Sequence, residues 1–213
     1  MAASAETVDE RRAWWTRTLL VLAAPRAVFA ALREQDPEDV AARQEPLLAV
    51  TVLAGIAGVL ATSVAGRLMD DPSFDGLLVA VWAFIGGGVY GLVGYWGGGA
   101  LLHGATKLLG SRGNYRRARQ VLGFAAVPVA LSLFTLWPVR IAAFGGAVFR
   151  SGGADSGSAG TAFALASVVF VLWSLGLLAV GVRTVHGWEW GRSAAAILLA
   201  AAPIVLLVVA TRR

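Results

Sequence analysis

Apolar residues fall in five long runs, at 47–66, 77–108, 121–138, 161–182 and 193–210, separated by short charged or turn-forming loops. Each run is near or above the roughly 20 residues that a helix needs to cross a bilayer. A spanning segment must satisfy its own backbone groups, which a helix does. The pattern predicts an all-α fold, a polytopic membrane helix bundle of five transmembrane helices with an N-terminal interfacial helical segment. Glu45 and Pro46 suit the first turn of the first span, and Arg67 with Asp70–Asp71–Pro72 closes it. Gly110–Ser111–Arg112–Gly113–Asn114 reads as a turn in which Asn114 can cap the next helix. The third span holds Pro128 and reaches its far interface at Trp137–Pro138–Val139–Arg140. Residues 141–150 are expected on or just inside that interface, before a loop over 151–160.

Residues 1–45 form the expected cytoplasmic tail, and residues 46–211 the transmembrane domain. Arg11–Arg12 ahead of Trp14 and Trp15 invites comparison with a twin-arginine signal, but Arg17 interrupts a short apolar core with no convincing cleavage site. An interfacial segment fits better, with tryptophans at headgroup level and arginines facing phosphate. Pro25 then opens a short helix with Val28, Phe29 and Leu32 on one face and Arg26 and Arg33 on the other. The acids Asp36, Glu38 and Asp39 lie in a charged linker, where solvation explains them.

The second run is crowded with glycine, and glycine weakens a helix in water by roughly 1 kcal/mol per residue. At 100° per residue, Ala80, Gly87, Gly91, Gly94, Gly98 and Ala105 fall on one narrow stripe, with Ala83 at its edge. Trp82, Ile85, Val89, Leu92 and Trp96 fall opposite. The small stripe is expected to be a helix-packing seam of the small-xxx-small kind, and the bulky face to meet lipid.

Composition agrees with a membrane domain. The 213 residues are 57% hydrophobic and 15% charged, against about a quarter charged in soluble domains. With no cysteine, disulfides, thiolate metal sites and cysteine nucleophiles are excluded. The net charge of +5 sits in loops between apolar spans, which is the pattern of membrane orientation and not of nucleic-acid binding. With five spans, thirteen of the eighteen Lys and Arg fall on the side of the N-terminus. The positive-inside rule therefore predicts a multi-pass plasma-membrane protein with its N-terminus in the cytoplasm and its C-terminus outside.

Catalytic signals are missing. No Asp, Glu or Lys lies mid-span, which argues against a proton relay or intramembrane catalysis. His103 and His186 have no acid or cysteine companion, so no metal or haem site and no cofactor is expected. The hydroxyls of Thr62, Ser63, Ser132, Thr135, Ser167 and Ser174 are expected to bond their own backbone. The glycines of Gly88–Gly94 sit inside an apolar helix and make no dinucleotide fingerprint. The polar candidates for contact with lipid headgroups or a partner are Lys107, Arg112, Arg116, Arg117, Arg119, Arg183 and Arg192, at around 1 kcal/mol each against an anionic surface.

Several pieces together resemble a known family: Pro25 with Val28 and Phe29; Tyr115–Arg116 opening a span that holds Pro128; and Trp173 and Gly176 before Gly181–Val182–Arg183–Thr184–Val185–His186–Gly187 and an Ala-rich last span. Over most of residues 14–210 the chain resembles the Yip-one (Ypt/Rab-interacting) domain family of polytopic membrane proteins, in its bacterial form. The resemblance implies a five-span fold with a cytoplasmic N-terminus. The chain lacks the DLYGP type of motif of eukaryotic members, so no binding residues carry over. The expected function is that of a non-enzymatic membrane protein that organises membrane or binds a protein partner or a second copy. The rival is a small transporter or channel, or a membrane subunit of a transporter, with the glycine-rich helix lining a path.

Overall fold

A computed structural model describes residue 16 and residues 18–34, 45–153 and 157–211. Arg11, Arg12, Trp14, Trp15, Arg17, the linker acids Asp36, Glu38 and Asp39, and Arg212–Arg213 lie outside the described residues. The ordered elements are helical: α1 (Pro25–Glu34), α2 (Glu45–Leu60), a 3-10 segment (Ala65–Asp70), α3 (Gly76–Val93), a π turn (Gly94–Gly98), α4 (Gly99–Leu108), α5 (Tyr115–Ala125), α6 (Val127–Phe144), a second 3-10 segment (Gly145–Phe149), α7 (Ser158–His186) and α8 (Trp190–Thr211). No strand occurs among the described residues.

Four stretches are long and apolar enough to cross a membrane: Gly76–Leu108, Tyr115–Phe149, Ser158–His186 and Trp190–Ala210. The apolar helix Pro46–Leu60 is shorter. It stops before the expected end at residue 66 because hydroxyl groups take over the backbone: Thr62 Oγ1 donates to the Val59 carbonyl and accepts from Ala65 N–H. The third run also differs from expectation. The helix breaks at Ala126, Pro128 sits in the first turn of α6, where a missing N–H is harmless, and α6 runs past Pro138 to Phe144. Residues 145–149 then form the 3-10 segment, whose Val148 and Phe149 are buried.

The chain forms two compact units. One takes in Ala49–Gly94 and Ala126–Leu175. Its core is Ala57, Val79, Trp137, Val148 and Phe149, with the Trp137 and Phe149 rings stacked 6.5 Å apart. Here α2 and α3 meet backbone to backbone. A Cβ on Gly55 would collide with the Gly87 carbonyl oxygen and the Gly91 Cα; one on Gly87 would strike Ile56, and one on Gly91 the Thr51 carbonyl. Lipid tails offer no hydrophobic drive between helices, so this close van der Waals contact is what holds the pair.

The other unit takes in the described residues as far as Leu48, Tyr95–Ala125 and the described residues from Gly176 onward. In it α4 packs on α5 and α8. The helix α1 buries Val28, Phe29 and Leu32 and exposes Arg26 and Arg33, the division its sequence predicts. That apolar face meets protein: Phe29 packs edge-on to Phe124 and lies beside Gly181, where any side chain would strike it.

The stripe of small residues is only partly the packed row. Ala83, Gly87, Gly91 and Ala105 are buried and Gly98 is half-buried against Leu122, whereas Ala80 and Gly94 are exposed. The buried row runs Val79, Ala83, Gly87, Gly91, then Tyr95, Gly99, Leu102 and Thr106. A strict spacing of four drifts by about 40° per step on a regular α-helix. The π turn at Gly94–Gly98 absorbs that drift and carries burial from Gly91 to Tyr95 and Gly99, leaving Gly94 outside. Of the opposite face, Ile85, Val89 and Trp96 are exposed and Trp82 and Leu92 half-buried. Outward-facing Leu165, Val169 and Leu172 of α7 and Leu198, Leu206 and Leu207 of α8 are exposed too. Such surfaces suit a bilayer and not water.

Candidate basic and aromatic contact site

The densest polar chemistry lies where the loop after α4 meets the α7–α8 hairpin. Helix α4 ends with Gly110 at φ 83°, the left-handed conformation that glycine takes readily, and Ser111 N–H returns to the Thr106 carbonyl at 2.9 Å. Ser111 Oγ accepts from Gly113 N–H at 2.9 Å and sits 3.1 Å from His186 Nδ1. Asn114 Oδ1 accepts from Arg117 N–H at 2.9 Å and so caps α5. The hairpin turns at Gly187, with φ 64°, and Ser193 Oγ bonds the Glu189 carbonyl at 3.0 Å. Arg192 then reaches across and donates to the Leu109 carbonyl. Two segments over 70 residues apart in sequence thus become one surface.

Three arginines of this surface lie on aromatic rings. Arg192 lies over Trp188 at 4.4 Å, Arg183 over Trp190 at 4.7 Å, and Arg119 over both Tyr115 at 4.7 Å and Tyr95 at 5.4 Å. His186 stacks on Trp188 at 4.7 Å, and His103 meets Tyr115 edge-on at 6.1 Å. Ring faces hold cations by their quadrupole while leaving part of the guanidinium free for an anion. The Tyr115 hydroxyl donates to the Trp96 carbonyl at 2.8 Å, which ties α5 to the π turn.

Of the expected contact residues, Lys107, Arg112 and Arg192 are exposed, and Arg116, Arg117, Arg119 and Arg183 are half-buried. The structure brings Arg192 to the 109–113 loop. The rings were missed in sequence, although Tyr115 and Arg119 are four apart on α5, a spacing that places two side chains on one helical face; Trp188, in the turn before α8, has no such signal. Gln120 was missed as well: it is fully buried, and neither its amide oxygen nor its nitrogen has a partner. The Tyr95 hydroxyl is likewise buried and unpartnered. Of the span hydroxyls, Ser132, Thr135 and Ser167 bond carbonyls of their own helices, Thr62 bonds the Val59 carbonyl from just past the end of α2, and Ser174 Oγ is buried with no partner.

Chemically, the surface can hold an anionic group at a membrane boundary. No carboxylate joins the Ser111–His186 pair to complete a nucleophilic triad among the described contacts. The family model described as the Yip1 domain matches residues 19–211. No curated protein and no solved structure matches the chain.

Proposed function

The chain belongs to the Yip1 domain family, and from that premise we propose a non-enzymatic membrane scaffold whose cytoplasmic basic surface binds anionic lipid and an acidic segment of a membrane protein partner. The observation that carries this reading is the fusion of the 107–119 loop with the 183–192 hairpin through Arg192 and the Leu109 carbonyl, with arginines preset on rings. Preset cations lose less freedom on binding than free ones. In this reading the five apolar helices span the plasma membrane, α2 being the first and shortest, with the N-terminus in the cytoplasm and the C-terminus outside. The backbone contact of Gly87 and Gly91 with α2 favours a packed seam over a water-filled path.

Photo-crosslinking residues at exposed Lys107 and Arg112, in membranes, test the proposal. Adducts with anionic lipid and with a discrete protein band are the expected result; absence of both at both positions overturns it. Single cysteines at Ala83, Gly87, Gly91 and Ala105, probed from either side with an impermeant thiol reagent, address the transporter. A silent Gly87–Gly91 region fits the scaffold, and labelling along the whole row fits a transport path.

A further inference from the structure

A second basic cluster lies in the other unit, away from the loops that membrane orientation explains. An open cleft of about 590 Å³ is lined by Ser63, Arg67, Arg140, Arg150, Ser151 and the backbone of Gly152–Gly153. In the proposed topology, five of the eighteen basic residues face the non-cytoplasmic side, and three of those five line this cleft. They come from three separate segments: the first 3-10 segment, the second half of α6 and the residue that follows the second 3-10 segment. Orientation rules disfavour basic residues there, so their convergence asks for a different cause.

The cleft is built as well as charged. Arg140 lies over the Trp137 ring at 5.1 Å, and Arg67 Nε donates to the Ser63 carbonyl at 3.2 Å. Asp70, the neighbouring carboxylate, accepts from Ser151 N–H at 2.8 Å and Ser151 Oγ at 2.6 Å. Its oxygens therefore fix the Ser151–Gly153 turn from the outside. Three arginines against the single neighbouring carboxylate of Asp70 leave the cleft basic, and the planar fork of arginine matches phosphate oxygens in pairs. We propose that Arg67, Arg140 and Arg150 form a phosphate site on the non-cytoplasmic side, shaped for the phosphodiester of an anionic lipid headgroup.

Native mass spectrometry of the full chain, released from micelles doped with equal phosphatidylglycerol and phosphatidylcholine, tests this. Phosphatidylglycerol should be retained preferentially, and the Arg67→Gln/Arg150→Gln variant should weaken that retention roughly tenfold or more. The variant keeps every cytoplasmic basic residue, so the difference reports this cleft. Competition by added inorganic phosphate would assign the site to a free phosphate group; loss in the variant without such competition assigns it to the lipid headgroup. Either supports a phosphate site. Equal retention by variant and wild type overturns it, and Arg150→Gln alone, at an exposed position, gives the same reading if the double variant does not fold.

Discussion

Gly55 and Gly91 face each other so closely that a Cβ on Gly55 would lie 2.5 Å from the Gly91 backbone nitrogen. Neither residue has room for a side chain, and the obstacle is backbone on both helices. Replacing Gly55, Gly87 or Gly91 with alanine should therefore lower stability by about 1–3 kcal/mol, the usual range for overpacking. Gly94, exposed and with nothing near its Cβ position, should accept alanine with little change. Unfolding in mixed micelles separates the two classes, and equal stability across all four variants would refute the seam.

Arg192 ties the α4 loop to the hairpin by one bond and one ring. Arg192→Gln should destabilise by about 1–2 kcal/mol, and Arg192→Lys should recover little, because an ammonium cannot lie flat on Trp188 while donating sideways. Hydrogen exchange over residues 109–113 is the measurement; protection unchanged in both variants would show that the contact is idle.

Asp70 offers a pH test. Two hydrogen bonds from Ser151, aided by Arg150 and Arg67, hold its carboxyl below the ordinary 3.8, against a smaller opposing effect of desolvation. A depressed folded-state value means the tie is at full strength above the ordinary carboxylate range and is lost as pH falls through Asp70's own lower value. The 145–153 segment should loosen only in strong acid in wild type, and at higher pH in Ser151→Ala. Limited proteolysis against pH reads this, and identical profiles for the two proteins would contradict it.

Gln120 is buried with four hydrogen-bonding sites idle. Gln120→Leu, close in volume, should be neutral or should stabilise by about 1–2 kcal/mol, since it removes an unmet desolvation penalty. A large loss of thermal stability would mean that the amide has a partner in the membrane.

The sequence made the all-helical architecture legible because long apolar runs have few alternatives in a bilayer. It also identified the α1 face, where Val28, Phe29 and Leu32 are buried as a three-to-four spacing requires. Within the glycine stripe, Ala83, Gly87 and Gly91 are buried; Gly94 was misplaced by the assumption of constant 100° steps, while Ala80 is exposed in a stretch where the helix is regular. The π turn breaks that assumption, and no residue type announces one. Gly55 was overlooked because the two glycines of α2, Gly55 and Gly58, are too few to set a period; only the partner helix shows the use of Gly55. The early end of α2 depended on Thr62 choosing the backbone over solvent, a local contest that hydropathy does not register. At the basic surface the charges were plain, while the rings beneath Arg183 and Arg192, Trp190 and Trp188, drew no notice in the sequence.

The π turn between Gly94 and Gly98 has a bearing on chain length. Such a turn holds one residue more than the regular helix would, and that extra residue sets the rotational phase of everything after it. Removing a single residue from 94–98 would turn Tyr95's successors by about 100° and swing Gly99, Leu102 and Thr106 off their neighbours. Substitutions at Gly94 and Gly97 are mild by comparison, since an added Cβ there meets nothing within 4 Å. At these two positions the segment therefore tolerates a change of letter far better than a change of count.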